Sequence, residues 1–223
     1  MSEAELGILL LSLKVGLVGL AASLPLAVAV AFVLARKRFP GKTLFDALVH
    51  LPLVLPPVVV GFALLVLFGT QGPIGRLLEP LGIVFAFRWT GAALAAAIMG
   101  FPLMVRAIRL AIEAIDTRLE VAARTLGARP GRVFFTVTLP LAWPGLVTGA
   151  LLGFARALGE FGATITFVSN IPGETQTLPL AIYTFTQSPG QDEQALRLSI
   201  LSVLLSLGAL ALSEWLVRRR AHA

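Results

Sequence analysis

The sequence predicts an all-α protein, a polytopic membrane protein that crosses the bilayer about five times and carries one short polar helix outside it. Three observations lead there. Hydrophobic residues make up 57% of the chain and charged ones only 13%, with a mean hydropathy of +0.89; a soluble surface of this size needs roughly twice that charge. The apolar residues collect in five stretches, each long enough for a hydrocarbon core that takes about 20 helical residues. Of the 18 Lys and Arg, 13 fall in three places, 36–42, 106–132 and 218–220, which share one side if five helices alternate. Basic loops stay inside, so the N-terminus is expected outside and the C-terminus in the cytoplasm.

The first stretch, residues 8–35, follows an acidic start, Met1-Ser-Glu-Ala-Glu5, and exceeds the apolar core of a secretory leader, so it is expected to direct insertion itself. Within it, Lys14 is expected to snorkel to the outer interface. Residues 44–69 form the second stretch and 91–112 the third. Pro25, Pro52, Pro56, Pro57 and Pro102 punctuate these helices, either as packing kinks or as the shape of an opening that rearranges. Arg109 and Glu113, four apart at the end of the third stretch, suit a solvated salt bridge.

Residues 117–127 then read as a short capped helix. Thr117 is the expected N-cap and Glu120 its reciprocal acceptor in a capping box, Gly127 the left-handed residue that ends it, and Pro130 the start of the next helix. Leu119, Ala122, Ala123 and Leu126 fall at i, i+3, i+4 and i+7, an apolar stripe whose two alanines admit a close neighbour. Arg118, Arg124 and Arg129 flank it. Such a helix in the longest basic loop of a membrane protein is expected to dock a partner.

The fourth stretch, residues 137–160, ends in Arg156 and Glu160 on one helical face. They neutralise one another, or Arg156 faces the route of an anion with Glu160 holding it. Residues 161–171 are apolar but too short to cross alone, and Pro172, Gly173, Pro179, Pro189 and Gly190 follow. This region continues the fourth helix past Gly159 and Gly162, or returns into the protein as a broken segment; the second is expected, because broken helices expose amides that an anion can use. Residues 195–217 form the fifth stretch.

Several function classes fall away. Without cysteine there are no disulfides, thiolate metal sites or cysteine nucleophiles. His50 and His222 have no partner at ligand spacing, so no metal site is expected. The net charge of +6 sits at helix ends and does not mark a nucleic-acid binder. Phe39-Pro-Gly-Lys-Thr43 ends like a phosphate-binding loop, but Arg36 replaces its first glycine and no strand is expected before it, so this chain is not expected to bind ATP itself. No catalytic constellation is evident.

Glu120-Val-Ala-Ala-Arg-Thr-Leu-Gly127, followed by Arg132-Val-Phe-Phe-Thr-Val-Thr-Leu-Pro140, resembles the EAA loop of permease subunits in bacterial binding-protein-dependent ABC importers. The resemblance implies that this helix is a cytoplasmic coupling helix seated in a groove of a separate ATPase, through Leu119, Glu120, Ala122, Ala123, Leu126, Gly127, Leu139 and Pro140. The chain departs from the pattern where Val121 precedes the two alanines; the family places its glutamate there, and here Glu120 stands one position earlier.

Further segments, Arg36-Lys-Arg-Phe-Pro-Gly-Lys42, Leu51-Pro-Leu-Val-Leu-Pro-Pro-Val-Val-Val-Gly61, Phe101-Pro-Leu-Met-Val-Arg-Ala-Ile-Arg109 and Gly159-Glu-Phe-Gly-Ala-Thr-Ile-Thr-Phe-Val-Ser-Asn-Ile-Pro-Gly-Glu174, are similar to the permease subunits of molybdate importers. This implies the type I ABC importer permease fold in a bacterial inner membrane. It also implies import of molybdate and tungstate by a homodimer with an external molybdate-binding protein and two ATP-binding subunits, which hold the ATP and Mg. Sulfate permeases share the loop. A dianion in a low-dielectric pore needs hydrogen-bond donors, and Thr164, Thr166, Ser169 and Asn170, with the amides near Gly159 and Gly162, are the densest supply. The alternative is a structural polar turn. An ion-gradient transporter would show inverted repeats, and none is evident.

Overall fold

The computed structural model describes residues 2–221, with the tail at 213, 214 and 216–221 described as backbone only; His222 lies outside the described residues. Every regular element among them is helical. The first helix, α1 (Glu3–Arg36), starts with a capping box in which Ser2 Oγ accepts from Glu5 N at 3.2 Å and Glu5 Oε2 accepts from Ser2 N at 2.7 Å. It runs through Pro25 without a break. Its buried positions are largely small: Ser12, Gly16, Gly19, Ser23, Ala27 and Ala31.

That ridge of small residues meets α5 (Trp89–Glu113), whose buried residues in its first half include Gly91, Ala92, Ala93, Ala95 and Ala96. A Cβ at Gly19 would lie 2.8 Å from Ala93 O, so the two backbones touch. Lipid provides no hydrophobic drive for helices to associate, and close backbone approach through small residues takes its place. Helix α9 (Trp143–Leu158) packs on α5 in the same way and also meets α1. Gly145, Gly149 and Gly153 recur every fourth residue; a Cβ at Gly149 would lie 3.2 Å from Met104 O, and one at Gly145 3.1 Å from Ala107 O.

The expected second span, 44–69, is not one helix. It divides into α2 (Lys42–Val54) and α3 (Pro57–Phe68), bent by 111°. Pro52 lies within α2 and leaves it helical, whereas Pro56 and Pro57 together remove two successive amides and hold Leu55 extended at φ −71°, ψ 142°. After α4 (Pro73–Leu78) and a 3₁₀ turn (Glu79–Leu81), the chain enters α5 and then the short α6 (Thr117–Thr125). The fourth stretch is also interrupted. Residues 130–141 comprise α7 (Pro130–Val133), a π turn (Phe134–Thr138) and α8 (Leu139–Leu141), and they meet α9 at a 71° bend.

Helix α9 stops at Leu158 rather than running on through Gly162. A separate α10 (Gly162–Val168) packs on α3 and α5, followed by α11 (Leu178–Thr186) and α12 (Asp192–Ala221). The contact of α10 with α3 is intimate: a Cβ at Gly61 would stand 2.5 Å from Ala163 O. Among the described residues three helices, α1, α5 and α12, are long and apolar enough to cross a membrane, and up to five spans result if each bent pair is one.

Candidate functional site

Two regions carry the residues singled out by the sequence. The first is α6. Its N-cap is Asp116 and not Thr117: Asp116 Oδ1 accepts from Arg118 N at 2.9 Å. An aspartate one residue earlier outcompetes a threonine hydroxyl because its charge also complements the helix dipole. The expected capping box is therefore absent, and Glu120 turns the other way. It is 5% exposed, with Oε1 accepting from Arg36 Nε at 3.1 Å and from Thr138 Oγ1 at 3.0 Å. Arg124 Nη2 lies 3.9 Å from its other oxygen.

The end of α6 is as expected, with Gly127 at φ +85°. The apolar stripe faces outward: Leu119, Ala122 and Leu126 are exposed and Ala123 is half-buried. Val121, which the periodicity omitted, is exposed beside them, and Leu126 is bare at 89%. Leu139 is half-buried and Pro140 exposed at the start of α8. The nine-residue helix thus buries its carboxylate and leaves Leu119, with Leu126 just past its end, exposed.

The second region joins α9 to α10. Glu160 is 2% exposed; its Oε1 accepts from Ala163 N at 2.7 Å, capping α10, and its Oε2 lies 2.6 Å from Arg156 Nη1. Glu160 thus neutralises Arg156 and fixes its side chain. Gly159 ends α9, and Gly162 opens α10 where a Cβ would meet Pro57 Cβ at 2.8 Å. Thr164 is buried, and Thr166 Oγ1 donates to Gly162 O at 2.8 Å.

Ser169 adopts φ +65°, ψ −161°, a conformation that costs a non-glycine residue about 1–3 kcal/mol. The following turn holds it there. Thr175 Oγ1 accepts from Ile171 N at 2.9 Å and donates to Ser169 O at 3.3 Å, while Asn170 Nδ2 donates to Thr184 Oγ1 at 2.7 Å. The periodicity did not single out the buried run Thr175, Gln176 and Thr177, or Ser12, whose Oγ accepts from Leu178 N at 2.7 Å. Lys14, expected at the interface, sets its ammonium 3.6 Å from the centre of the Trp89 ring, a cation–π contact. Arg109 binds Glu113 as expected and also Asp46, both at 2.8 Å. His50 Nδ1 lies 3.1 Å from Asp46 Oδ1, and no group of three or more candidate metal ligands occurs among the described residues.

Apolar helices packed through glycine and alanine, two sharply bent pairs and a short polar helix with an exposed apolar stripe together describe a polytopic membrane protein. The chain belongs to the family described as binding-protein-dependent transport system inner membrane component, whose profile matches residues 23–222. Among its relatives, the Molybdenum transport system permease protein ModB of Escherichia coli (strain K12) is 59% identical over 219 residues, 98% of this chain and 96% of that protein. The protein of the same name from Haemophilus influenzae (strain ATCC 51907 / DSM 11121 / KW20 / Rd) is 58% identical over 216 residues, covering 96% and 94%. A probable sulfate transport system permease protein, cysT of Chlorokybus atmophyticus, is 42% identical over 156 residues, 70% of this chain and 54% of that one.

Solved structures share the fold at low identity. A bacterial ABC transporter involved in the import of alginate superposes with a TM-score of 0.78 at 16% identity, covering 98% of this chain and 80% of that one. The MetNI methionine ABC transporter in inward facing conformations gives 0.70 at 19%, covering 98% and 99%. The ABC importer permease fold expected from the EAA-like loop is therefore the fold of this chain.

Proposed function

We propose that this chain is the permease subunit of an ATP-driven importer that carries molybdate, and tungstate with it, into the cytoplasm. The observation that carries the reading is α6, whose outward apolar stripe and inward carboxylate suit a helix wedged into another protein, in a chain 59% identical to a molybdenum permease over nearly its whole length. Two copies enclose the pore. Each seats α6 in an ATPase subunit that holds ATP and Mg, and an external binding protein delivers the oxyanion. The N-terminus lies outside and α6 in the cytoplasm, where the basic segments 36–42 and 106–132 collect.

ATP-driven closure of the ATPases moves α6 as a rigid piece, and the helices joined to it, α5 on one side and α9 on the other, tilt to open the pathway alternately to each face. The segment from Arg156 to Asn170 lines the outer part of that pathway or its gate. Its polar groups bind one another in this structure, Arg156 with Glu160 and Asn170 with Thr184; on this reading they offer their donors to the anion as α3 and α10 part. Affinity resides in the binding protein, and the pore needs only to lower the barrier to a dianion.

The test is ATP hydrolysis and uptake by the complex in liposomes, with the binding protein loaded with molybdate, tungstate or sulfate. Molybdate and tungstate are expected to stimulate both, and sulfate neither. Stimulation by sulfate alone moves the chain to the sulfate permeases, to which the 42% relative gives a foothold. Uptake indifferent to ATP overturns the reading.

A further inference from the structure

Glu120 is a carboxylate with little reason to be buried if its task is to meet a partner. Leu119 and Val121 beside it are 50% and 55% exposed, whereas Glu120 is 5% exposed. A buried carboxylate is tolerated where it is both paired and hydrogen-bonded, and here two different elements supply the bonds. Arg36, the last residue of α1, and Thr138, the last residue of the π turn, donate to the same oxygen at 3.1 Å and 3.0 Å. Arg36 Nη2 also donates to Ile115 O at 3.2 Å and so grips the connection from α5 to α6. An apolar contact runs parallel to these bonds: the rings of Phe32 in α1 and Phe134 in the π turn meet edge-on, 4.9 Å between centres.

We propose that Glu120 is the inward latch of α6, tying it through Arg36 to the end of α1 and through Thr138 to the π turn that leads into α9, so that displacement of α6 reaches both helices together. The inference rests on α6 being the ATPase-docking element. Without the latch, motion of α6 would dissipate in the short connections on either side, because each leaves backbone torsions free to turn. With it, α6, α1 and the π turn move as one body. That body meets α9 at the 71° bend that follows α8. Glu120 is then a positioning residue, and docking is left to the apolar stripe.

The test uses the full complex, with ATPase subunits and binding protein, in liposomes. Three quantities are read: the ratio of ATPase subunits retained, ATP hydrolysed, and molybdate accumulated. Glu120→Gln keeps an acceptor and discards the charge; Thr138→Val removes the second donor with little change of shape. Both variants are expected to retain ATPase subunits at the wild-type ratio. Molybdate accumulated per ATP is expected to fall about 5-fold or more in Glu120→Gln and about 2-fold in Thr138→Val, as for loss of a charge-assisted and a neutral bond. Combining Arg36→Glu with Glu120→Arg should recover part of the yield that Arg36→Glu alone loses. Detachment of the ATPase subunits in Glu120→Gln would make Glu120 a docking residue and overturn the latch. Unchanged molybdate per ATP in Thr138→Val and Glu120→Gln would overturn it as well. A wild-type complex whose hydrolysis ignores the loaded binding protein overturns the importer reading, and the latch with it, before any variant is made.

Discussion

At the scale of single residues, Glu160 shows how a charge is kept inside an apolar assembly. One oxygen caps α10 through Ala163 N and the other faces Arg156, so both are engaged. Glu160→Gln retains the capping acceptor, whereas Glu160→Ala strands the Ala163 amide and Arg156 together. The alanine variant is expected to be about 1–3 kcal/mol less stable than the glutamine variant, read as a lower unfolding midpoint in detergent. The i, i+4 spacing of Arg156 and Glu160 was visible in the sequence, and so the ion pair was legible. The cap was not, because it depends on α9 ending at Leu158, a decision made by the Gly159 turn and by the packing of Gly162 on Pro57.

At the scale of elements, α6 was legible as a helix and its ends less so. Periodicity found the stripe and Gly127 found the terminus, since both signals are local. The direction of Glu120 was misread as a capping box because Arg36 and Thr138 lie 84 and 18 residues away in sequence. The outward stripe makes a prediction of its own. Ala122→Glu places a charge where the proposed docking needs a close apolar contact, and uptake is expected to fall about tenfold or more while ATP hydrolysis loses its dependence on loaded binding protein. Circular dichroism and the unfolding midpoint should match the wild type, because Ala122 is exposed in the isolated chain. The bent pairs teach the converse lesson. Pro25, Pro52 and Pro102 each leave a helix intact, and only the doubled Pro56-Pro57 turns the chain by 111°.

At the scale of the whole molecule, α1, α5 and α9 pack through glycine and alanine, which lets three backbones approach without a hydrophobic drive from the surrounding lipid. The Gly145, Gly149 and Gly153 repeat was present in the sequence as a small residue every fourth position, and it was the available sign that α9 lies against another helix. The proposed topology has a direct check, because the chain has no cysteine of its own. Ser2→Cys is expected to react with a membrane-impermeant maleimide in intact cells, and Thr125→Cys only after the membrane is opened. The reverse pattern would invert the chain and place α6 outside, where no ATPase could reach it.

Membership of the membrane class, the helical content, the short charged helix and the likeness to importer permeases were all determined by the sequence itself. Each rests on composition, on a period or on a run of adjacent residues, quantities that do not depend on how distant parts meet. Tertiary structure decided how α10 seats against α3, which way Glu120 points, and which buried hydroxyls are engaged between elements. Those outcomes follow from contacts across tens of residues, Arg36 with Glu120, Gly61 with Ala163 and Ser12 with Leu178 among them. A contact of that kind leaves no periodic trace, because the free energy that selects it belongs to the pair and is absent from either segment alone.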